Sequence, residues 1–194
     1  INLDTGKIKT EAIMSDLLPV LDTIKYYEKN AKKILSKEKR STPIYYPNNS
    51  AYIQYKPMGV IAVISPWNYP LQLALIPTIT ALIAGNTVIL KPSELTPLVS
   101  QIIKQILEKA NLPENIVQIV EGEKDQVQKI IELKPAKIFF TGSTATGKKI
   151  MQNAAERMIP LQLELGGKDP MIVLEDANFE RAVNAAVYGA FSNS

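Results

Sequence analysis

Residues 60–64 form an unbroken apolar run, Val-Ile-Ala-Val-Ile, that is rich in β-branched side chains. Because no polar residue alternates with the apolar ones, both faces of this strand should be covered, as in the centre of a parallel sheet. Pro66 ends the run, since a proline cannot continue a central strand. Together with Pro70 it holds Trp67 and Asn68 in a short, stiff loop. In an open α/β sheet such a loop lies at the carboxyl end of the strand, where ligands bind. The same residues also suit a purely structural role, with Trp67 over the core and Asn68 bonded to turn backbone.

Strand and helix signals alternate from Val60 onward, with short connections between them. Further strands are expected at 87–90, 116–120, 137–141, 161–165 and 171–174, and helices at 70–84, 96–110, 125–133, up to about 157 and from about 179. The helix at 96–110 should bury Ile102, Ile103, Ile106, Leu107 and Ala110. The alternation predicts an α/β fold with a doubly wound parallel sheet and right-handed crossovers.

The first 55 residues do not share this alternation. An apolar stripe over residues 11–35 predicts a helix that is kinked or divided at Pro19. Residues 36–50 are polar and read as a connection, and residues 51–55 read as a short strand whose partner lies outside the main core. We therefore divide the chain into a helical segment with its connection (1–50), a strand of a separate element (51–58) and the parallel-sheet domain (59–194).

The composition excludes several kinds of chemistry. The chain has no Cys and no His among its 194 residues, which removes disulfides, thiolate nucleophiles, the usual zinc sites and the usual base at neutral pH. The 22 basic and 19 acidic residues give a net charge of +3. The one basic cluster, at residues 29–40, fits a solvated helix face, so we expect no nucleic-acid partner. No apolar run reaches the roughly 18 residues of a membrane span. No signal peptide is visible, although a leader could precede Ile1, and we expect a cytoplasmic location.

Polar or small residues follow most of the predicted strands. They are Asn68, Lys91 with Glu94, Gly122, Gly142-Ser143 and Glu164. Because parallel strands end on the same side of the sheet, these residues should converge on one site. Lys91 and Glu94 offer a cation and an anion at one corner, which suits ribose hydroxyls or a phosphate.

Glu164 ends an apolar strand and precedes two glycines. Partial burial of its carboxylate would favour the protonated form and so make the group a more effective base. A carboxylate that only caps the turn fits the same residues.

Residues 142–149, Gly-Ser-Thr-Ala-Thr-Gly-Lys-Lys, nearly match the phosphate loop G-x-x-x-x-G-K-[ST]. The match fails at Lys149, where a hydroxyl should hold Mg²⁺. The segment also lacks the second glycine of the dinucleotide pattern G-x-G-x-x-G, because Ser143 and Thr144 follow Gly142. A P-loop-like nucleoside triphosphatase is therefore only a secondary alternative, although small residues that open a helix can still present N–H groups to a phosphate.

Four segments together resemble the aldehyde dehydrogenase superfamily. They are Pro66-Trp67-Asn68-Tyr69-Pro70, Gly85-Asn86-Thr87 with Lys91-Pro92-Ser93-Glu94, Phe140-Thr141-Gly142-Ser143 with Gly147, and Glu164-Leu165-Gly166-Gly167-Lys168. Their order and spacing make the resemblance specific, and it extends from about Leu3 to Ser194. It implies NAD(P)-dependent oxidation of an aldehyde to a carboxylic acid and a Rossmann-like coenzyme domain over 59–194. It also implies a homodimer or homotetramer, with residues 51–58 in the oligomerisation element.

The resemblance further implies roles for individual residues. Asn68 would donate its side-chain amide to the oxyanion of a thiohemiacetal, and Glu164 would activate the water that hydrolyses the thioester. Lys91 and Glu94 would hold the adenosine ribose of NAD or NADP. The other coenzyme contacts would be Ser65, Trp67, Gly122, Thr141, Gly142, Ser143, Gly147 and Leu165. Among these, Ser143 would lie near the pyrophosphate and Leu165 near the nicotinamide.

One departure from the family pattern bears on activity. In the family, a phrase like Phe191-Ser192-Asn193-Ser194 is followed by Gly-Gln-x-Cys, whose cysteine is the nucleophile, and then by the substrate-side domain. This sequence holds neither. We therefore expect it to be the coenzyme-binding part of an aldehyde dehydrogenase and to be inactive alone, with a non-catalytic nucleotide-binding module as the main alternative. The choice between NAD and NADP stays open, because Glu94 suits free ribose hydroxyls whereas Lys91 could accept a 2′-phosphate.

Overall fold

The computed structural model describes residues 1–193, which contain two sheets. The strands are β1 (Glu38–Arg40), β2 (Ala51–Ile53), β3 (Val60–Ile64), β4 (Thr87–Lys91), β5 (Val117–Ile119), β6 (Lys137–Gly142) and β7 (Leu161–Leu165). The helices are α1 (Asn2–Thr5), α2 (Lys9–Ala12), α3 (Leu18–Ile34), α4 (Gln72–Ile83), α5 (Pro97–Lys109), α6 (Lys124–Glu132), α7 (Thr144–Ala155) and α8 (Phe179–Phe191), with a π-helical turn at Ile13–Leu17. Within the described residues, every helix is too short or too polar to cross a membrane.

The larger sheet has the order β5-β4-β3-β6-β7, and all its pairings are parallel. Strand β3 lies at its centre, and Ile61, Ala62 and Val63 are at most 2% exposed, because helices cover both faces. The predicted doubly wound α/β fold is therefore confirmed. Since β3 pairs with both β4 and β6, the strand order reverses at this point. Such a switch point is where open α/β sheets bind their ligands.

Two apolar layers cover the sheet. On one face, α4 and α5 bury Leu75 and Ile103 against β3 and β4. On the other face, α6 and α7 bury Ile131 and Ile150 against β3 and β6. This arrangement closes the faces and leaves the strand ends available to a ligand.

The apolar stripe predicted for α5 is only partly correct. Ile103 is fully buried and Leu107 packs against the same core, but Ile102 and Ile106 are 49% and 43% exposed and Ala110 is exposed as well. The buried face of α5 is instead centred on Val99, Ser100 and Ile103. The predicted stripe omitted Val99 and included Ile102, Ile106 and Ala110, which lie away from the side of the helix that contacts the sheet.

The turn between α4 and β4 ties the helix to the start of the central strand. Gly85 ends α4 with a φ of 83°, which glycine adopts without strain. The Oδ1 atom of Asn86 accepts hydrogen bonds from the N–H groups of Met58 (2.7 Å) and Gly59 (3.1 Å), and its Nδ2 donates to Ala81 O at 3.0 Å. These bonds fix where β3 enters the sheet relative to β4.

The amino-terminal segment differs from its prediction in one detail. The kink or division expected at Pro19 corresponds to a change of helix type, because the π-helical turn Ile13–Leu17 passes without interruption into α3, which begins one residue before Pro19. Residues 51–53 form the expected strand, but its antiparallel partner is β1, inside the segment that we predicted to be a connection. Strand β1 consists of three charged residues, so it gave no apolar alternation by which the sequence could reveal it.

The strand predicted at 171–174 is wrong. These residues adopt no regular secondary structure, and Ile172 and Leu174 are 80% and 67% exposed. An apolar run needs a neighbouring strand to become part of a sheet, and β7 is the last strand of the sheet in the described residues. The helix predicted from about Phe179 is confirmed as α8, which buries none of its side chains.

Candidate functional site

The carboxyl ends of the parallel strands bring the predicted site residues to one edge of the sheet. The strand register pairs Ile64 with Lys91 and Thr141 with Glu164. Ser65, which follows β3, donates its N–H to Lys91 O at 3.1 Å. Residues from four consecutive strands of the sheet are therefore neighbours at this edge, as the sequence predicted.

The loop after β3 presents Trp67 and Asn68. Trp67 is 50% exposed and, with Leu95 and Thr96, lines a cavity of about 250 Å³. Asn68 is half-buried, and within the described residues its buried Oδ1 atom has no hydrogen-bond partner. An unpaired buried amide oxygen costs about 1–3 kcal/mol, so its retention in a folded protein calls for an explanation. Its place at the switch point makes Asn68 a candidate for contact with a ligand.

A buried ion pair, which sequence reasoning missed, holds this loop. Lys7 and Asp16 are both fully buried and their charged groups lie 2.8 Å apart. Lys7 Nζ also donates to the carbonyl of Asn68 at 2.8 Å, and Asp16 Oδ1 accepts from the N–H groups of Leu71 (3.2 Å) and Gln72 (3.3 Å). In sequence Lys7 looks like a surface lysine. The signal for Asp16 is its place midway between Ala12 and Val20, both of which are buried.

Tyr69 packs against Lys7 of this pair. Burial raises the pKa of its hydroxyl, and the nearby carboxylates of Glu11 and Asp16 raise it further. Its ring faces Lys7, whose Nζ is 4.3 Å from the ring centroid. Tyr69 therefore remains neutral at physiological pH and shields the ion pair from water.

Lys91 and Glu94 form the second part of the site. Lys91 is only 3% exposed, and its Nζ donates to Glu94 Oε2 at 3.0 Å and to Pro92 O at 3.3 Å. Partial burial raises the pKa of Glu94, but its own backbone N–H and the ammonium groups of Lys91 and Lys124 together lower it more, so its pKa lies below the ordinary value. The carboxylate is therefore ionised at neutral pH and can accept hydrogen bonds from ligand hydroxyls.

A cavity of about 190 Å³ lies beside Glu94, between the start of α5 and Gly122. Gly122 has a φ of 131°, and a Cβ there would lie 2.8 Å from Gln126 Cγ. A larger residue at this position would therefore collide with the Gln126 side chain. Ser65 Oγ is buried close to Lys91 and has no hydrogen-bond partner within residues 1–193. A pocket, an ionised carboxylate, a buried ammonium and an unpaired hydroxyl are a suitable donor and acceptor set for a ribose.

Strand β6 passes directly into α7. Gly142 ends the strand, and Ser143 is the N-cap, whose Oγ accepts from Thr146 N at 3.2 Å. Because residues 144–149 are helical, they do not form the wide loop that wraps a triphosphate. The triphosphatase alternative therefore lacks its structural basis, whereas the amino terminus of α7 still points its N–H groups toward the edge of the sheet.

Gly147 and Leu165 are in contact. A Cβ at Gly147 would lie 2.6 Å from Leu165 Cδ2, so the glycine lets α7 approach β7 closely. Leu165 is 39% exposed and pairs with Gly142 in the sheet register. The glycine thereby determines where the Leu165 side chain lies at the edge of the sheet.

The structure does not support the first of the two hypotheses for Glu164, a partly buried carboxylate, within the described residues. Its side chain is exposed, and its Oε1 accepts from Gln162 Nε2 at 2.9 Å. Strand β7 is the outermost strand of this sheet, so no further strand covers Glu164. The desolvation that was expected to make this carboxylate a stronger base is thus not provided by residues 1–193.

Comparison with known proteins gives consistent matches over the whole chain. The family model described as "Aldehyde dehydrogenase family" matches residues 1–194. A 4,4'-diapolycopene aldehyde oxidase of a Methylomonas species is 50% identical over 100% of this chain and 37% of its own length. A 4,4'-diaponeurosporen-aldehyde dehydrogenase of Staphylococcus aureus is 39% identical over 98% of this chain and 41% of its own length. The chain thus spans about two fifths of the length of these relatives.

Solved structures agree in fold. The substrate-bound state of Staphylococcus aureus AldH matches with a TM-score of 0.94 at 39% identity, covering 99% of this chain and 42% of that one. The NAD⁺ complex of an aldehyde dehydrogenase from Bacillus cereus matches with a TM-score of 0.90 at 36% identity, covering 98% of this chain and 38% of that one. The chain belongs to the aldehyde dehydrogenase family.

Proposed function

We propose that this chain is the coenzyme-binding part of an NAD- or NADP-dependent aldehyde dehydrogenase that oxidises an aldehyde to a carboxylic acid. The observation that carries the proposal is the meeting of Asn68, the Lys91–Glu94 pair and the amino terminus of α7 at one switch point, in a chain of this family. Residues 59–194 form the coenzyme domain in this proposal, residues 1–50 a helical segment, and residues 51–58 part of an oligomerisation element.

The coenzyme would bind along the carboxyl edge of the sheet. Glu94 and Lys91 hold the adenosine ribose, and Gly122 leaves room beside it. The pyrophosphate lies between the Trp67 backbone and the N–H groups that open α7 at Ser143. Ser65, Thr141, Gly142, Gly147 and Leu165 complete the contacts, with Leu165 near the nicotinamide. When bound, NAD(P)⁺ accepts the hydride.

The residues of this chain would then act on the aldehyde. Asn68 donates a hydrogen bond from its amide to the aldehyde oxygen as that oxygen gains negative charge, in the manner of an oxyanion hole. The nucleophile is a cysteine that the 194 residues do not contain, so it must come from further polypeptide. Glu164 takes a proton from the water that releases the acid. Because Glu164 is exposed here, this role requires additional protein to cover it.

An apolar aldehyde is the substrate class that we propose. The support is the pair of relatives that are named for diapolycopene and diaponeurosporen aldehydes. In addition, a cavity of about 320 Å³ begins at the first turn of α4, directly after the Asn68 loop, and extends to Glu164. Its wall includes Leu73, Ile76, Pro77 and Phe139, side chains that suit a hydrocarbon chain better than a charged one.

A homodimer or homotetramer is the proposed assembly, with the β1–β2 hairpin as the contact. Both hairpin strands are mostly exposed, and the hairpin pairs with no other strand in the described residues. Light scattering on the complete gene product, with and without residues 38–53, would test this. We also propose a cytoplasmic location, which cell fractionation would test.

The coenzyme site can be tested on the chain itself through Trp67, its single tryptophan. NAD or NADP should change the emission saturably with a dissociation constant of about a millimolar, because loose loops must be ordered on binding. Lys91→Ala should weaken this binding, whereas Lys109→Ala, an exposed lysine at the far end of α5, should not. If the Trp67 emission did not change on addition of about 10 mM coenzyme, the proposed site would be contradicted.

Activity measurements on the chain and on the complete gene product distinguish an aldehyde dehydrogenase from a non-catalytic nucleotide-binding module. The 194-residue chain should not reduce NAD(P)⁺ with aldehyde, because it has no thiolate to form the tetrahedral alkoxide that expels a hydride. The complete gene product should do so. In it, Glu164→Gln should preserve an initial burst of reduced coenzyme and slow the steady state. A complete gene product that binds coenzyme but oxidises no aldehyde would favour the module.

A further inference from the structure

We infer that the buried Lys7–Asp16 pair is a positioning device for Asn68, so that the rate of aldehyde oxidation depends on two residues that touch neither aldehyde nor coenzyme. This inference rests on the proposed function of Asn68 and adds the residues that set its orientation.

The first support is that the pair makes several hydrogen bonds to one segment, the loop of Asn68 and the start of α4. Lys7 Nζ bonds Asp16 Oδ2 and the Asn68 carbonyl, both at 2.8 Å. Asp16 Oδ1 bonds the N–H groups of Leu71 and Gln72. The loop is therefore held on both sides of Pro70, by its carbonyl before the proline and by its N–H groups after it.

The second support is that α4 lacks a cap of its own. Its N-cap residue is Leu71, whose side chain makes no capping bond, and the first helical N–H groups would otherwise be unpaired. Asp16 supplies the missing acceptor from a different part of the chain. Its negative charge lies at the positive end of the α4 dipole, which is favourable. The carboxylate thereby fixes where the helix begins, at Gln72, four residues after Asn68.

The third support is the cost of the arrangement. Both charges are fully buried, and a buried ion pair is weak evidence for stability, because hydrophobic residues of similar volume often stabilise as well or better. Asp16 lies in a π-helical turn, a rare element that often occurs at functional sites. Unlike apolar residues, the pair makes directional hydrogen bonds to backbone groups. Lys7 is the residue whose ammonium reaches the peptide of Asn68.

The physical consequence concerns rate more than coenzyme affinity. An oxyanion donor acts only if its amide lies within hydrogen-bond distance of the charge that develops, and a displacement of about 1 Å can cost on the order of a hundredfold. The Lys91–Glu94 corner contacts neither Lys7 nor Asp16 through the bonds described. Loss of Lys7 should therefore lower kcat while the KM for coenzyme changes little.

The test is a double-mutant cycle in the complete gene product, with aldehyde turnover measured for wild type, Lys7→Met, Asn68→Ala and the combination. Asn68→Ala should lower kcat about 10²–10³-fold, and Lys7→Met about tenfold or more. In the Asn68→Ala background, Lys7→Met should change kcat less than about twofold, because there is no amide left to position. Additive losses, or a folded Lys7→Met protein with unchanged kcat, would overturn the inference and leave the proposed function intact. Full activity of Asn68→Ala would remove the role of Asn68 itself, and the positioning role with it.

A second variant and a second readout cover the case in which Lys7→Met does not fold. Lys7→Met/Asp16→Asn removes both charges and retains an oxygen that can accept from Leu71 and Gln72, so it should fold more readily and show the same loss of kcat. Amide hydrogen exchange of this variant then reports whether the Asn68 loop is still held in place. The exchange rate should rise in the peptide over residues 66–73 and stay unchanged in α7. Faster exchange throughout the sheet and α7, in proportion to the loss of kcat, would indicate a merely structural role and overturn the inference.

Discussion

Replacement of Asn86 by alanine should destabilise the protein substantially, although Asn86 lies away from the proposed site. Asn86 is 8% exposed, and its amide makes three hydrogen bonds to backbone groups, two to the entry of β3 and one to the last turn of α4. No other side chain bonds these two N–H groups in the described residues. The substitution therefore removes the link that fixes the central strand against the helix that follows it.

The magnitude follows from the number of bonds and their burial. Each intramolecular hydrogen bond contributes about 1 kcal/mol net, and more when its loss leaves a buried group unpaired. Met58 is 53% exposed, so water can reach the freed N–H groups and limits the cost there. The carbonyl of Ala81 keeps its bond from the backbone N–H of Asn86 at 3.0 Å. Three bonds at about 1 kcal/mol each give an expected loss of roughly 3 kcal/mol in the free energy of unfolding.

Urea unfolding followed by circular dichroism measures this loss. With a slope of about 2 kcal/mol/M, the midpoint should fall by about 1.5 M without a change in slope. Asn30→Ala is the matched control, because Asn30 makes one exposed bond to Tyr26 O at 2.8 Å, and it should shift the midpoint by less than about 0.3 M. If Asn86→Ala shifted the midpoint no more than this control, the reasoning about the turn would be refuted.

Two further changes have definite expected outcomes. Gly85→Ala should cost roughly 1–2 kcal/mol in urea unfolding, because φ is 83° and the new Cβ would lie 2.8 Å from Pro57 Cγ, whereas Gly166→Ala, with open space around it, should be neutral. Glu94→Gln should lower stability at about pH 7, and the difference from wild type should shrink as the pH falls below the ordinary carboxyl pKa. The pKa of Glu94 is lowered in the folded protein through its bonds, including that to Lys91, so its contribution is present above the ordinary pKa and is lost as the pH falls through the folded value.

The sheet was predictable from sequence because its signals are local. Strands β3, β4 and β6 contain continuous apolar runs, whereas β5 and β7 alternate apolar with polar residues. Each predicted segment is bounded by Gly, Pro or a polar residue, so strands β3 to β7 could be placed within two residues. Strand β1 and the run at 171–174 fail for the same reason. Whether a segment pairs depends on a neighbour that the segment itself does not encode. The three charged residues of β1 pair because β2 lies beside them. The four apolar residues at 171–174 do not pair because no strand of residues 1–193 lies beside them.

The candidate site divides in the same way. Its candidate residues follow strands closely, so Asn68, Lys91 and Gly142 could be identified by position alone and do lie at one edge. Burial was less predictable. The sequence around Lys91 gives no sign of burial, yet Lys91 is nearly inaccessible, while Glu164, for which partial burial was one of two hypotheses, is exposed. Burial is set by whatever packs from elsewhere in the fold, and a motif of five residues carries no information about that.

The first 17 residues show what this dependence means for the site. The two helices that begin at its edge, α4 and α5, both start without a capping side chain of their own. Carboxylates of the amino-terminal segment supply both caps. Asp16 accepts from the start of α4, and Asp4 accepts from the N–H groups of Leu98 and Val99 at 3.3 and 2.8 Å. A capping residue contributes about 1 kcal/mol wherever it comes from, so stability alone does not require an acceptor from a distant part of the chain. A distant acceptor also fixes the two helix starts relative to each other, and with them the loop of Asn68 and the Lys91–Glu94 corner. The segment that least resembles a nucleotide-binding fold in sequence is therefore the part that holds the two halves of the proposed site in register.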